Sequence, residues 1–290
     1  MAITVAARPR RSALYLPGSN ARAIEKARTL PCDVVILDLE DSVAPEAKVA
    51  ARVLACEAVK MGGFGAREMV IRANGLDTPW GADDLAAAAA ARPDAVLVPK
   101  VGSPEDLTAY RAALGPSVPL WAMIETCQAV FALNALGAAC AEAGVEAWVI
   151  GTNDLVKEMR CRPGVDRQPL LAALSLSVMA ARAHGIAILD GVYNDIPDLE
   201  GLARECAQGC DLGFDGKSLI HPTHLEIADR AFSPEPQAVA WAHKVAEAFD
   251  LPENTGKGVL KVDGRMVERL HLAEARRLIA VAEAIAAHED

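Results

Sequence analysis

The sequence predicts an α/β protein, a (β/α)8 TIM barrel with a C-terminal helical extension. Eight short apolar runs punctuate the chain, and stretches of helical character separate them. A near-continuous apolar run bounded by turns is typical of a strand buried on both faces, and eight such strands alternating with helices indicate a closed parallel barrel. The runs are Ser12–Leu16, Asp33–Leu39, Glu68–Ala73, Ala95–Pro99, Pro119–Ile124, Ala147–Gly151, Ile186–Leu189 and, more weakly, Leu212–Asp215.

Polar residues at or just after the ends of these runs are the candidates for chemistry, because the active site of such a barrel lies where its strands end. They are Glu40, Asp41, Arg72, Lys100, Glu125, Asp154, Asp190 and Lys217. The pattern of runs therefore predicts the architecture and the place of the site together.

Length and composition are consistent with one barrel domain. The chain has 290 residues, of which 52% are hydrophobic and only 4% aromatic, so we expect an aliphatic core. The formal net charge is -10, which argues against nucleic acid as a partner. An anionic small substrate remains compatible with this charge, because a local Arg or Lys can override the global field.

Seven cysteines are scattered along the chain, and no C-x-x-C pair occurs among them. We expect them to be buried small side chains in a reducing cytoplasm. No apolar run approaches the length of a bilayer-spanning helix, and no apolar segment follows the arginines of residues 1–11. The sequence therefore predicts a cytoplasmic protein without a membrane partner.

Helices are predicted between the apolar runs. The first lies within residues 17–32, after Pro17-Gly18-Ser19-Asn20, with Ser19 or Asn20 as its N-cap. The next six are predicted at residues 44–61, Ala82–Ala91, Pro104–Leu114, Cys127–Ala143, Pro169–His184 and Ile196–Gln208. Ser103 and Pro104 form the expected cap and first-turn pair of the fourth helix.

The last part of the chain departs from the eightfold pattern, and we predict a barrel domain at residues 1–232 and a C-terminal helical arm at residues 233–290. Helices are expected at Pro222–Arg230, Pro234–Phe249 and Arg269–Ala287, and a hairpin is expected around Asp263-Gly264. The arm either caps its own barrel or packs on a neighbouring subunit. We favour the second arrangement, because a hydrophobic helix beyond a closed barrel needs a surface to pack on.

Glu125 and Asp154 follow the fifth and sixth runs and are the candidate metal ligands. Adjacent parallel strands lie about 4.8 Å apart, so carboxylates at their ends can approach one cation. Mg²⁺ is commonly held by one or two carboxylates, with waters and substrate oxygens completing its shell. The alternative is that each carboxylate caps the following helix or pairs with an arginine.

Arg72 ends the third run, and its guanidinium is expected at the barrel mouth, where it suits a carboxylate or a developing enolate oxygen. Asp38, Glu40 and Asp41 end the second run. At least one of them is expected to hydrogen-bond Arg72 or a metal-bound water, and we assign Glu40 and Asp41 to that supporting role. A buried salt bridge of Arg72 with Glu40 or Asp41 is compatible with this assignment.

Asp190 and Lys217 are the remaining candidates. Asp190 closes the seventh run and is expected to contact substrate or support the site, or else to satisfy a turn. Lys217 is expected to pair with a carboxylate rather than form a Schiff base, and His221 is expected to make structural hydrogen bonds. The common nucleotide, hydrolase and zincin motifs are absent from the sequence.

Eight motifs together resemble the HpcH/HpaI aldolase and citrate lyase family, most closely its citrate lyase β-subunit-like branch with malyl-CoA and citramalyl-CoA lyases. They are Leu14–Asn20 (LYLPGSN), Val35–Pro45 (VILDLEDSVAP), Ile71–Trp80 (IRANGLDTPW), Val98–Val101 (VPKV), Met123–Thr126 (MIET), Gly151–Leu155 (GTNDL), Asp190–Tyr193 (DGVY) and Gly213–Pro222 (GFDGKSLIHP). The resemblance extends over nearly the whole chain.

The resemblance implies a Mg²⁺-dependent barrel, a homotrimer or hexamer, that cleaves or forms a carbon–carbon bond in 3-hydroxyacyl-CoA thioesters. Its partners would be an acyl-CoA and a small 2-keto acid. By position in the motifs, Glu125 and Asp154 match the metal ligands, and Arg72 matches the arginine that binds the substrate carboxylate or the enolate. Alternatives are a citrate lyase β subunit acting on a carrier-bound thioester, a shorter pyruvate aldolase type, or a non-catalytic barrel.

The resemblance also implies contacts outside the metal site. Tyr15, Lys26 and Asn153 match positions that contact the CoA ester or its acyl part. Glu268 matches a C-terminal acid that a neighbouring subunit supplies as the acid/base, although the family usually has Asp there. A second departure is Asn20, which stands where the family commonly has Arg.

Overall fold

A computed structural model describes residues 8–289 of the chain. The expectation about residues 1–11 therefore falls mostly outside the described part, since residues 1–7 lie beyond it. Eight parallel strands form a closed barrel in sequence order, and β1 pairs with both β2 and β8 to close it. The strands are β1 Ser12–Pro17, β2 Val34–Asp38, β3 Glu68–Arg72, β4 Ala95–Val98, β5 Leu120–Ile124, β6 Val145–Ile150, β7 Ala187–Asp190 and β8 Gly216–Leu219.

Nine α-helices accompany these strands in the described barrel unit. They are α1 Ala21–Ala27, α2 Lys48–Met61, α3 Gly81–Ala91, α4 Pro104–Leu114, α5 Cys127–Ala143, α6 Thr152–Met159, α7 Leu171–His184, α8 Leu199–Leu212 and α9 Leu225–Phe232. The predicted (β/α)8 fold is confirmed. Among residues 8–289, no helix combines the length and the apolar character that crossing a bilayer requires.

The predicted eighth strand was wrong. Leu212 ends α8, and β8 begins at Gly216, beyond the predicted run Leu212–Asp215. Lys217 and Ser218 break the apolar pattern of this strand, although both are buried. The short helix α6 was also missed, because its eight residues follow β6 directly and carry few apolar side chains.

Strand alternation separates two apolar clusters. One lies inside the barrel, and the other lies between the strands and the helices. The inner cluster contains Ala13, Val34, Ile36, Val70, Ala95, Leu97, Trp121, Met123, Ala147, Val149 and Leu189. Asp38 and Arg72 share the inward side of β2 and β3 with these residues, and they pair in register across the two strands. The barrel interior is therefore apolar in the middle and charged at the strand ends.

Two buried ion pairs lie at the opposite end of the barrel, where the strands begin. Arg10 donates from Nε and Nη2 to the two carboxylate oxygens of Glu68, each over 2.7 Å. Arg11 donates to both oxygens of Asp33 over 2.9 Å. Each carboxylate faces its arginine in the bidentate geometry that makes such pairs directional.

Helix caps fix where α1, α4 and α5 begin. Asn20 accepts from the Ala23 N–H, which confirms one of the two caps predicted for α1. Ser103 and Asp106 form a reciprocal capping box on α4. Thr126 caps α5 by accepting from the Ala129 N–H over 3.0 Å. Glu125 stands directly before that cap, so the start of α5 fixes its backbone.

A second compact unit includes the residues from Ser233 onward, whereas the barrel unit spans Arg10–Phe232. Its elements are α10 Pro236–Asp250, β9 Val259–Val262, β10 Arg265–Glu268 and α11 Arg269–Glu289. Its apolar core is Ala242, Val245, Phe249, Leu260, Val262, Val267 and Ala275. The predicted hairpin is present, and its turn residues Asp263 and Gly264 both have positive φ, as the two-residue turn of a twisted hairpin requires.

No disulfide joins the seven cysteines, all of which lie within residues 8–289. Four are buried, as expected: Cys32, Cys56, Cys140 and Cys206. The other three, Cys127, Cys161 and Cys210, are only partly buried, which departs from the expectation.

Candidate active site

A cavity of about 270 Å³ opens at the carboxyl ends of the barrel strands. Its walls come from residues at or after the ends of β1, β2, β3, β5, β6, β7 and β8. The lining residues are Tyr15, Asp38, Asp41, Ser42, Arg72, Met123, Glu125, Ile150, Gly151, Thr152, Asn153, Asp154, Val192, Asn194, Ser218 and Ile220. Four of them are acidic, and Arg72 is the one cation in the set, so the described lining is negatively charged.

Asp38 holds Arg72 in place. Arg72 donates from Nε and Nη2 to the two Asp38 oxygens, each over 2.7 Å. Asp38 also accepts from the backbone N–H groups of Glu40 and Ser42. Burial alone would raise the pKa of Asp38, but the Arg72 charge and these hydrogen bonds hold it below its usual range. The guanidinium is thus fixed by a carboxylate whose pKa is held low.

The two neighbouring acids surround the remaining nitrogen of Arg72. Its Nη1 lies 2.9 Å from Glu40 Oε2 and 3.2 Å from Asp41 Oδ2. This confirms the expected pairing of Arg72 with acids of the second run. The sequence reasoning missed that Asp38 is the principal partner, although the shared inward side of Asp38 and Arg72 is a signal that could have identified it.

Glu125 and Asp154, the predicted metal ligands, line the same cavity. Glu125 is buried, and its Oε1 accepts from the Lys100 N–H over 2.7 Å. A Cβ at Gly151 would lie 2.6 Å from Glu125 Oε2, so the close approach of the backbone just after β6 to this carboxylate requires glycine. Asp154 lies in the first turn of α6, whose N-cap is Gly151, and Thr126 rather than Glu125 caps α5. Neither carboxylate is therefore the N-cap of the helix that follows it, and their role as metal ligands stays a prediction.

Two carboxyl groups of the site have pKa values well above the ordinary value of a glutamate. Burial, together with the nearby charges of Glu40 and Asp154, raises the pKa of Glu125 to about 8. Burial, opposed by Arg72 and reinforced by Asp41 and Asp38, raises the pKa of Glu40 to about 7. Burial is thus the main reason that both carboxyl groups keep their protons to a higher pH than an exposed glutamate.

Lys100 is a site residue to which the sequence reasoning assigned no role. Its φ of 52° places it in the left-handed region, where a non-glycine residue is strained. This conformation accompanies the hydrogen bond of its N–H to Glu125. The ammonium lies 4.0 Å from Glu40 Oε1 and is more than half exposed. Lys100 thus connects two of the acids at the cavity rim.

The three predicted CoA or acyl contacts have different positions. Tyr15 lines the cavity, and its ring lies 5.0 Å from the Arg72 guanidinium carbon. Asn153 lines the cavity too. Lys26 is exposed in the last turn of α1 and is not among the lining residues.

Asp190 does not reach the cavity. Leu189 belongs to the inner cluster, so the next residue of β7 points outward toward the helices. Asp190 is fully buried there, and it accepts from Arg167 Nη1 over 2.8 Å and from Lys217 Nζ over 2.9 Å. The expected pairing of Lys217 with a carboxylate is confirmed, and Glu205 is its second acidic partner.

Glu268 lies at the end of β10 in the C-terminal unit and is exposed. Its backbone N–H donates to His271 Nδ1. Its assignment as the acid/base stays a prediction.

The fold and the site together define a parallel-barrel protein with an acidic cavity and one fixed arginine at the carboxyl ends of its strands. The sequence profile of the HpcH/HpaI aldolase/citrate lyase family matches residues 11–222. The chain therefore belongs to the HpcH/HpaI aldolase/citrate lyase family.

Two relatives are enzymes of CoA thioesters. A (3S)-malyl-CoA thioesterase of Cereibacter sphaeroides strain KD131 is 51% identical over 281 residues, which is 97% of each chain. An L-malyl-CoA/beta-methylmalyl-CoA lyase of Cereibacter sphaeroides strain ATCC 17025 is 32% identical and also covers 97% of each chain. The chain is thus similar both to an enzyme named a thioesterase and to an enzyme named a lyase.

A solved structure extends the comparison. The protein CitE of Mycobacterium tuberculosis, in complex with magnesium, acetoacetate and coenzyme A, superposes with a TM-score of 0.76 at 29% identity. The match covers 96% of this chain and 99% of that one.

Proposed function

We propose that this protein is a Mg²⁺-dependent enzyme that hydrolyses the thioester of a malyl-CoA-type substrate. The observation that carries the proposal is the cavity that Arg72, Glu125 and Asp154 all line. The 51% identity to a malyl-CoA thioesterase over nearly the full length of both chains favours hydrolysis as the reaction.

The residues present fit a magnesium ion. Glu125 and Asp154 supply hard oxygen ligands, and a two-carboxylate site leaves room for waters and substrate oxygens. Burial and the charges of Glu40 and Asp154 raise the pKa of Glu125, and the Arg72 charge offsets this only in part. When bound, the ion would supply Lewis-acid polarisation of substrate oxygens.

Arg72 is the group we assign to the substrate's negative charge. Its planar guanidinium suits a carboxylate or an oxyanion, and Asp38 fixes its orientation before substrate arrives. In hydrolysis, negative charge develops on the thioester carbonyl oxygen, and a fixed guanidinium costs little reorganisation at that moment.

Glu40 is our candidate for the base that takes a proton from the attacking water, because its Oε2 lies 2.9 Å from Nη1 of Arg72, which lines the cavity. A carboxyl group with a pKa of about 7 is partly ionised at neutral pH, which suits proton transfer. The water oxygen bonds to the thioester carbon, the carbon–sulfur bond breaks, and the thiolate of CoA leaves. Asp41 contacts the same guanidinium and assists in keeping it in place.

Carbon–carbon cleavage is the second candidate reaction, and the full-length similarity to a malyl-CoA lyase supports it. In this reaction the bond between the acetyl-CoA part and the keto-acid part breaks, and Arg72 stabilises the enolate. Glu268 of a neighbouring subunit in a homotrimer or hexamer would be the acid/base. Tyr15 and Asn153 would contact the acyl part of either substrate.

Product analysis separates the two reactions. Purified protein is incubated with malyl-CoA and Mg²⁺, and the products are identified by chromatography. Free CoA with malate indicates hydrolysis, whereas acetyl-CoA with glyoxylate indicates carbon–carbon cleavage. The same assay with citramalyl-CoA, citryl-CoA and a carrier-bound citryl thioester identifies the acyl group and its carrier. Absence of turnover with every thioester would overturn the proposal and favour a non-catalytic barrel.

A further inference from the structure

The ammonium group of Lys48 is buried against the segment that carries Glu40. Lys48 is the first residue of α2, and only 6% of it is exposed. Its Nζ donates to the carbonyl oxygens of Leu39 and Glu40, each over 2.9 Å, and lies 5.2 Å from the centre of the Trp80 ring. These carbonyls belong to the two peptide groups that flank the Glu40 Cα, so one ammonium holds the backbone of Glu40 on both sides.

This placement is unfavourable for a lysine. A cation at the first residue of a helix lies at the positive end of the helix dipole. Among residues 8–289, the polar partners of the Lys48 ammonium are the two carbonyl oxygens, and no carboxylate pairs with it. Burying a charge without a counter-charge is costly, and departures of this kind concentrate at functional sites. The burial of Lys48 therefore indicates a task at the neighbouring site.

The backbone that Lys48 holds carries a side chain of the site. Glu40 Oε2 lies 2.9 Å from Nη1 of Arg72, which lines the cavity. Asn74 Nδ2 also donates to the Leu39 carbonyl oxygen over 2.9 Å, but it does not reach the Glu40 carbonyl. The ammonium is thus the side-chain donor that connects both peptide groups.

We propose that Lys48 is a positioning residue that holds the Glu40 carboxyl against Arg72 at the edge of the cavity. Lys48 does not line the cavity itself, so it acts on the reaction through Glu40. Without the ammonium, the two peptide groups lose their shared partner, and the Glu40 carboxyl turns toward water. The effect on turnover rests on the proposed function, whereas the position of the carboxyl can be measured without substrate.

Titratable and charged side chains face Glu40 from several elements of the barrel. They are Tyr15 of β1, Asp38 of β2, Asp41 after β2, Arg72 of β3, Lys100 after β4, Tyr110 of α4 and Glu125 after β5. None of them is altered when Lys48 alone is replaced. Loss of the Lys48 charge by itself would raise the pKa of Glu40, whereas movement of the carboxyl into water would lower it. The direction of the change therefore separates the two effects.

The test follows the pKa of Glu40 by NMR of isotope-labelled glutamate carboxyl carbons in the full-length protein in EDTA. The signal of Glu40 is identified by its loss in Glu40→Gln. Lys48→Met has nearly the shape of lysine without its ammonium. Lys48→Gln, whose neutral amide is one atom shorter, is the second variant and replaces Lys48→Met if that chain does not fold. Turnover of malyl-CoA with Mg²⁺ is measured separately.

Arg111→Met is the matched control, because Arg111 is a cation that also holds backbone carbonyls. It donates to the Ala143 carbonyl oxygen over 2.6 Å and to the Val118 carbonyl oxygen over 2.9 Å. Both carbonyls lie just before strands β5 and β6, at the end of the barrel away from the cavity, which Arg111 does not line. This variant therefore loses the same kind of contact without touching the site.

We expect Glu40 to have a pKa of about 7 in wild type. In Lys48→Met this pKa should fall by at least about one unit, and in Lys48→Gln it should fall as well, because the carboxyl leaves its buried position. In Lys48→Met, kcat should fall about 100-fold, the size of a general-base contribution, while KM stays within about threefold of wild type. Arg111→Met should change neither the pKa of Glu40 nor kcat.

An ordinary glutamate pKa for Glu40 in wild type would overturn the proposal. So would a pKa of Glu40 that is unchanged or higher in the folded Lys48 variants, or an equal loss of kcat in Lys48→Met and Arg111→Met. If wild type consumes no malyl-CoA, the proposed function fails, while the NMR measurement still decides the role of Lys48. The two failures are thus distinguished.

Discussion

Asp38 and Arg72 show how a single pair of residues prepares the site. The Asp38 carboxylate accepts two hydrogen bonds from Arg72 and two from backbone N–H groups, so its lone pairs are used. A buried guanidinium without such a partner would be costly. The pair therefore serves stability and orientation together.

Asp38→Asn is expected to lower the free energy of unfolding by about 3 kcal/mol, because it leaves a buried charge with fewer partners. We also expect kcat/KM to fall about 100-fold, since misplacing one charged donor has effects of this size. Urea unfolding and turnover of malyl-CoA measure the two effects.

Asp33→Asn is the matched control. Asp33 binds Arg11 in the same bidentate way at the opposite end of the barrel. This variant should lose similar stability and keep its kcat/KM. Equal loss of activity in both variants would contradict the assigned role of Asp38.

The raised pKa of Glu125 predicts that the metal-free folded protein becomes less stable as the pH rises. Unfolded Glu125 loses its proton near its ordinary pKa, whereas the folded residue keeps it up to about 8. Between those values the folded state binds more protons, so stability falls as pH rises through this window.

Glu125→Gln removes this ionisation. In EDTA, we expect the variant to gain about 2 kcal/mol over wild type between pH 5 and pH 9, because each unit of pKa shift corresponds to about 1.4 kcal/mol and part of it is screened. Thermal unfolding across this range measures the difference. A difference between the two proteins that does not change with pH would contradict the burial of an ionisable carboxyl at residue 125.

At the scale of strands and helices, alternation decides which polar residues reach the cavity. Asp38 and Arg72 stand on the inward side of their strands, whereas Asp190 and Lys217 stand on the outward side and pair with each other. Glu125 is positioned by the start of a helix, because the next residue, Thr126, caps α5.

Thr126→Ala is expected to lower the free energy of unfolding by about 1 kcal/mol through loss of the α5 cap. Thr126→Ser keeps a hydroxyl that can accept the Ala129 N–H, so its loss should be less than half as large. Urea unfolding of the two variants measures this difference, and equal losses would show that the cap contributes nothing.

Much of the barrel and its site could be predicted from the sequence, because buried parallel strands have a plain apolar signature and their ends carry the polar residues. The eighth strand could not, since Lys217 and Ser218 interrupt that signature and are stabilised by partners far away in sequence. The outward side of Asp190 was missed because a short run does not reveal which alternate residues face inward.

Other site features have no signal in a single sequence. The left-handed backbone of Lys100 depends on its contact with Glu125, 25 residues further on. The side-chain amides of Asn153 and Asn194 form hydrogen bonds with each other across 41 residues. Such contacts arise from closure of the barrel, which only the three-dimensional arrangement contains.

At the scale of the whole molecule, the chain has two compact units, and Glu268 belongs to the one that follows the barrel. If Glu268 acts in the site of a neighbouring subunit, two inactive variants can complement each other. Each restored site would combine a barrel from one chain with an arm from another.

For carbon–carbon cleavage, the reaction in which Glu268 is assigned a role, co-expressed Glu125→Gln and Glu268→Gln chains are therefore expected to recover about one quarter of the wild-type rate, the fraction of sites with both residues intact under random mixing. Each variant alone should be inactive in this reaction. An active Glu268→Gln enzyme would remove Glu268 from the mechanism, and an inactive mixture of folded chains would contradict action between subunits.

The most direct test of the account is consumption of malyl-CoA by the purified protein, followed by chromatography with Mg²⁺, with EDTA, and in Glu125→Gln. We predict steady consumption with Mg²⁺, loss of consumption in EDTA that Mg²⁺ restores, and a rate at least about 1,000-fold lower in the variant, because the proposed metal site loses one of its two carboxylates. Consumption that continues in EDTA, or an active Glu125→Gln enzyme, would contradict the role assigned to Glu125 and Asp154.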